Sequence, residues 1–268
     1  NREMRKILMN LTAEIGDEAA EIHSSVEIMA NLDVILAKAR YALEFGGMKP
    51  EISDEPFIEM RKIRHPLLVH GKGLKGVVPL SVTFDMNKRG HLISGPNAGG
   101  KTVALKSVGL NIAMALSGIF PLGECKTDFR NIYTSIGDRQ SIENDLSTFS
   151  SQMTQLKNII DNSDQHSLVL VDEIGSGTDP QEGAALASGI LDTFVNTNLF
   201  FIATTHQSSL KTYALNREEI ENASLEFDEE KFVPTYKFLQ GTPGNSYAFF
   251  LAKNIGLNEL VISRSKKY

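Results

Sequence analysis

The sequence predicts an α/β fold: a mostly parallel central sheet covered by helices on both faces, preceded by a long N-terminal helical arm. Three observations carry this. From Gly90 onward, short apolar strands alternate with helical stretches, and strands separated by helices pair in parallel. The runs at 168–171 and 199–203 are apolar throughout, as strands buried on both faces are. Upstream, Met4, Leu8, Leu11, Ile15, Ala19, Ile22, Val26 and Met29, continuing to Leu43, recur every three or four residues, which is the spacing of one helical stripe.

The arm comes first in the chain. Forty helical residues at 1.5 Å each would reach about 60 Å, longer than a small domain is wide. The pattern therefore predicts a projecting arm over 1–46 with a kink at Gly16; the other reading is two shorter core helices broken at Gly16. Gly46, Gly47 and Pro50 end it. Residues 57–63 and 77–84 then read as strands punctuated by glycines and Pro79. The strand–loop–helix region follows. Residues 91–94 form a strand, 101–116 a helix, 148–161 a helix and 167–171 a buried strand. Asp179 followed by Pro180 marks a helix start, with Asp179 as N-cap. Residues 47–268 are expected to form one domain.

Composition bounds the function. The 268 residues are 41% hydrophobic and 22% charged, an ordinary globular balance. The net charge of −6 argues against a broad grip on nucleic acid within this stretch. A single cysteine, Cys125, excludes an internal disulfide and points to the reducing cytoplasm. No apolar run approaches the roughly 20 residues that span a bilayer. The N-terminus is no signal peptide and begins within a helical pattern, so a piece of a longer protein is expected.

The chemistry concentrates after Gly90. Gly95-Pro96-Asn97-Ala98-Gly99-Gly100-Lys101-Thr102, followed by Val103, fits the phosphate-loop pattern G-x-x-x-x-G-K-[ST]. Its glycines let successive backbone N–H groups face phosphate oxygens, and the following helix adds its positive end. Lys101 should reach the β- and γ-phosphates, and the Thr102 hydroxyl should ligate Mg²⁺. Downstream, an apolar strand ends in Asp172-Glu173. Asp172 would stand where ligands bind in open α/β sheets and hold the metal, and Glu173 would orient or deprotonate a water. His206, after Ala203-Thr204-Thr205, is a candidate γ-phosphate sensor. Ser147-Thr148-Phe149-Ser150-Ser151-Gln152-Met153 reads as a helix start with an anion-binding end. Residues 175–179 read as a turn, or as a loop meeting a second subunit. His65 and Tyr247 are candidates for stacking on a base, with plain packing as the other reading.

These pieces together resemble the ABC-type ATPase domain of the MutS family. The phosphate loop with Val103-Ala104-Leu105-Lys106-Ser107-Val108-Gly109, Asp172-Glu173-Ile174-Gly175-Ser176-Gly177-Thr178, Ala203-Thr204-Thr205-His206 and Arg64-His65-Pro66 all carry the likeness. The second bacterial branch, the MutS-II type, is the better match. Asp179-Pro180-Gln181-Glu182-Gly183-Ala184 follows its pattern, where mismatch-repair members usually have Ser-Thr. Ile136-Gly137-Asp138-Arg139-Gln140 and Pro234-Thr235-Tyr236-Lys237 agree.

The resemblance implies an ABC-type P-loop ATPase using ATP and Mg²⁺, with no guanine-reading Asn-Lys-x-Asp pattern to favour GTP. It implies a homodimer through the ATPase domain, each nucleotide completed by the partner's signature segment, which falls on Ser147. It identifies the arm as the end of the lever and clamp region. Members are linked to branched-DNA binding, suppression of recombination and rescue of stalled ribosomes, so DNA and the ribosome (RNA) both stand as partners of the full-length protein. They usually carry a C-terminal Smr nuclease domain, and no such segment is expected before Tyr268. A transporter-type reading would want an LSGGQ-like signature, which this chain lacks.

Overall fold

A computed structural model of the protein describes residues 2–96, 99–128, 130–137, 145–228, 233–244, 252 and 255–265; for 145–148 and Leu260 only the backbone is described. The chain opens with α1 (Arg2–Asp17) and α2 (Ala19–Phe45). β1 (Glu51–Ile52), β2 (Ile58–Ile63), α3 (Pro66–Lys72) and β3 (Leu80–Phe84) follow. Next come β4 (Gly90–Ser94), α4 (Lys101–Leu116), β5 (Glu124–Thr127) and β6 (Asn131–Ser135). Then α5 (Asp145–Asn162), β7 (Ser167–Val171), α6 (Pro180–Asn196) and β8 (Phe200–Thr205) alternate. The chain continues with α7 (Ser208–Leu215), β9 (Ile220–Asp228), β10 (Val233–Gln240) and α8 (Glu259–Ser265). Among the described residues no helix is long and apolar enough to cross a membrane.

The central sheet has the strand order β10-β9-β4-β8-β7-β6. Every pairing in it is parallel except β10 with β9. Side chains alternate across this sheet, as the pleat requires. Leu168 and Leu170 face one core with Leu105, Val108 and Ile112 of α4. Val169 and Val171 face another with Leu156 and Ile159 of α5, and Leu191 and Phe194 of α6. Both faces are thus buried, which is why the strand reads as unbroken apolar sequence. Phe84, Phe194, Phe200 and Phe201 are all fully buried, each contributing roughly 1.5–3 kcal/mol relative to exposure.

A second sheet, ordered β1-β5-β2-β3, lies on the α4 side. Its Ile58, Met60, Val82 and Phe84 complete the α4 core. Sequence patterning had marked β2 and β3 but gave no sign of β5, β6 or the β9–β10 hairpin. Cys125 sits in β5 at 4% exposure, and burial pushes its thiol pKa up to about 12. That leaves it a protonated, packed side chain rather than a nucleophile.

The N-terminal helix is two helices, with the break at Glu18 rather than at Gly16. Gly16 stays inside α1, and a Cβ there would meet nothing within 4 Å. Glu18 leaves helical geometry, with φ −97° and ψ 5°. Neither helix buries a residue, so these are not core helices, and Ile15, Ile22, Val26, Met29 and Leu36 are all exposed. The end of α2 is held against the rest of the protein. Lys38 Nζ donates to Ser117 O at 2.7 Å, Tyr41 and Phe45 pack ring to ring at 4.9 Å, and both pack on Val69, Val77 and Leu122.

Candidate active site

The site forms at the C-terminal ends of the parallel strands. Ser94 of β4 is level with Thr205 of β8, and Val171 of β7 with Ala203 of β8. The loop after β4, the Asp172-Glu173 pair after β7 and His206 after β8 therefore emerge side by side. This is where open α/β sheets bind ligands.

The phosphate-loop segment runs from β4 into α4. Gly95 (φ 140°) and Gly100 (φ 90°) both adopt positive φ, which an L side chain would resist. Asn97 and Ala98 lie outside the described residues. Pro96 O accepts from Gly99 N at 3.1 Å. Lys101 is 3% exposed, and its Nζ donates to Gly95 O at 2.8 Å and Pro96 O at 3.0 Å. Burial pushes its pKa down, while the Glu173 and Asp172 carboxylates hold it up and Lys211 lowers it. Both acids therefore share one electrostatic neighbourhood with this lysine. Val103, one residue past Thr102, is 41% exposed.

Thr102 and Asp172 meet directly. Thr102 Oγ1 donates to Asp172 Oδ2 at 2.8 Å across 70 residues of sequence. Thr204 Oγ1 donates to Asp172 Oδ1 at 2.6 Å and accepts from Glu173 N at 2.8 Å. Thr204 thus fixes the pair, a role the sequence hid because Thr204 reads there as one more strand residue. Glu173 itself has φ 49°, a left-handed conformation costing about 1–3 kcal/mol in a non-glycine residue. The bond from Ile174 N to Thr204 O at 3.0 Å holds the turn.

His206 is exposed directly after β8. Its neighbour Gln207 donates through Nε2 to Gly175 O at 2.9 Å, tying this strand end to the 175–179 loop. Asp179 caps α6 as expected, accepting from Gln181 N and Glu182 N. The expected helix start at Ser147 lies inside α5, which begins at Asp145. The Ser147 side chain lies outside the described residues, as does Tyr247.

His65 is 8% exposed and lines a cavity of about 270 Å³ beside the phosphate loop, with Val77, Val78, Gly100, Val103, Leu225 and Tyr236. Burial, and then Lys106, push its pKa down. Tyr236 was not singled out as a site residue from sequence. It sits where the β9–β10 register shifts, with φ 61°, and a bulge re-aims its side chain. A Cβ at Gly100 would lie 3.0 Å from its ring.

Gly244 is a second residue that sequence reading passed over. Its N–H donates to Ser94 Oγ at 2.8 Å, and its carbonyl accepts from Lys211 Nζ at 2.7 Å. A Cβ there would collide with Ser94 O and lie 3.0 Å from Gly95 Cα. Gly244→Ala is therefore expected to lower stability by about 1–3 kcal/mol through overpacking. Gly189→Ala, where a Cβ meets nothing within 4 Å, should not. Urea unfolding of both variants checks this contrast, and equal stabilities would exclude the close approach.

The family model described as MutS domain V, an ABC-like ATPase domain, matches residues 91–268. An endonuclease MutS2 of Bacillus cytotoxicus is 47% identical over 272 residues, covering 100% of this chain and 34% of that protein. The endonuclease MutS2 of Bacillus mycoides is 45% identical over 270 residues with the same coverage. That of Shouchella clausii is 45% identical over 268 residues, covering 99% of this chain and 34% of its own length. The chain thus spans about a third of the length of these curated relatives (34%). With a domain match over most of its length and this identity throughout, the chain belongs to the MutS family, in its second bacterial branch.

Proposed function

We propose that this chain binds ATP with Mg²⁺ and hydrolyses it at an interface between two copies. The observation that carries the reading is the Thr102–Asp172 contact at 2.8 Å. It brings the phosphate-loop hydroxyl and the strand-end carboxylate to one point, and both are the hard oxygen donors Mg²⁺ prefers. Among the described residues no cluster of three or more His, Cys, Asp or Glu could hold a metal. That fits an ion whose remaining ligands are phosphate oxygens and water. When bound, Mg²⁺ neutralises charge building on the β- and γ-phosphate oxygens.

The chain's own residues supply the rest. Backbone N–H groups of Gly99, Gly100 and the start of α4 cradle the phosphates. Lys101 exchanges its loop carbonyls for phosphate oxygens and stabilises the developing charge. Thr102 and Asp172 hold the metal. Glu173, fixed by Thr204, orients the attacking water and takes its proton. His206 contacts the γ-phosphate. The base enters the cavity beside Gly100 and stacks on Tyr236, with His65 also in the lining. Val103, exposed and in the same lining, packs on the nucleoside.

Residues 1–46 act as the base of a lever and clamp, and 47–268 as the ATPase domain. Ser147, near the N-terminal end of α5, completes a second copy's nucleotide site. In the full-length protein the cycle opens and closes a clamp on branched DNA, suppressing recombination. The net charge of −6 supports nucleic-acid contacts lying outside this stretch. Sizing the protein with and without ATP and Mg²⁺ tests the composite site: the expected outcome is a monomer that becomes a dimer only with both present. A monomer under all conditions would exclude it. Full-length protein offered branched DNA and collided ribosomes separates the clamp reading from a ribosome-rescue factor with the same switch.

A further inference from the structure

The strand end that carries Asp172 is gripped from outside the site by α5. Gln152 is 4% exposed, and its Nε2 donates to Asp172 O at 3.1 Å. One turn on, Gln155 Oε1 accepts from Ser135 Oγ at 2.9 Å. Ser135 O in turn accepts from Asp172 N at 2.9 Å. Both backbone groups of Asp172 are therefore held, one by β6 and one by α5. The carboxylate of the same residue is held by Thr102 and Thr204.

Gln152 is an unusual choice for packing alone. Its neighbours on the buried face of α5 are Met153, Leu156, Ile159 and Ile160. An amide buried beside them is unfavourable unless its hydrogen bonds are made. Here only half are, because Gln152 Oε1 has no partner among the described residues. The assignment of Nε2 to the Asp172 contact follows from chemistry, since a carbonyl only accepts. The one bond that is made goes to the metal-site residue. The same rigid helix carries Ser147 five residues upstream, about 7.5 Å along its axis.

We propose that Gln152 is a positioning residue that couples Asp172 to the N-terminal end of α5, so that the state of the metal site sets the placement of the segment offered to a second copy. This rests on the reading of the site as an ATP-hydrolysing, dimer-completed one. A shift of the Asp172 peptide is transmitted through Gln152 to α5 as a rigid body. A change imposed on Ser147 by a partner returns along the same path to the strand end beside Glu173.

The test uses two variants of the full-length protein. Gln152→Met keeps the length and packing but removes the donor. It is expected to leave KM for ATP and the melting temperature near wild type, while kcat and ATP-dependent dimerisation fall about fivefold to tenfold, the size of coupling carried by residues that touch no ligand. Gln152→Glu restores a donor only when protonated, and burial raises its pKa. Its kcat relative to wild type should therefore fall as pH rises, while the Gln152→Met ratio stays flat. Three results would overturn the coupling: wild-type kcat and dimerisation in Gln152→Met, loss of nucleotide binding together with melting temperature, or a pH-independent ratio in Gln152→Glu. Wild-type protein with no ATP turnover would instead remove the site reading on which the coupling rests.

Discussion

Glu173→Ala is expected to bind ATP as wild type does and to dimerise with it, yet to turn it over about 100-fold to 1,000-fold more slowly, within the range a lost general base costs. The backbone argument favours a clean result. Glu173 holds φ 49° with a side chain already present, so alanine adds no new conformational penalty. The bonds that fix this turn, Glu173 N to Thr204 Oγ1 and Ile174 N to Thr204 O, are donated by main-chain N–H groups and do not involve the Glu173 side chain, so they survive. Thr102 and Asp172 keep their contact, so the pair proposed to hold the metal is unchanged. The protein should therefore accumulate as the ATP-bound dimer. Steady-state turnover and sizing read both halves, and undiminished turnover would falsify the role of Glu173.

The candidate site was legible because its parts are local. A phosphate loop is contiguous sequence, and its chemistry follows from glycines, a lysine and a hydroxyl at fixed spacing. Asp172 and Glu173 close an apolar run, and Asp179-Pro180 announces a helix start. What escaped was whatever depends on two distant segments meeting. Thr204 joins Asp172 to Glu173 through an ordinary hydroxyl. Gly244 matters because its backbone lies against Ser94 and Gly95, and no local pattern marks that approach. Tyr236 reaches the cavity through a register shift, which pairing geometry decides rather than propensity. The break at Glu18 instead of Gly16 has a related cause. Glycine lowers helix stability by roughly 1 kcal/mol without fixing where the helix ends.

Lys101→Met is expected to abolish tight nucleotide binding, with affinity falling about 100-fold or more, because a buried charged partner typically contributes 2–5 kcal/mol when truncated. The residue is only 3% exposed and braces Gly95 O and Pro96 O, so methionine removes both the loop brace and the cation. It also leaves the Glu173 and Asp172 carboxylates, which act against burial to favour the charged lysine, facing a triphosphate with less to offset them. Like charges in a partly desolvated site repel strongly, so added Mg²⁺ should not restore the lost affinity. Lys157→Met, on the exposed face of α5 beside Asp161, is the control and should bind as wild type does. Calorimetric titration with a non-hydrolysable ATP analogue reads each affinity, and a Lys101→Met value within about threefold of wild type would exclude the lysine from the phosphate site. Set beside Glu173→Ala, the result separates two steps at one site: the lysine variant loses the nucleotide, while the glutamate variant keeps it and loses the chemistry.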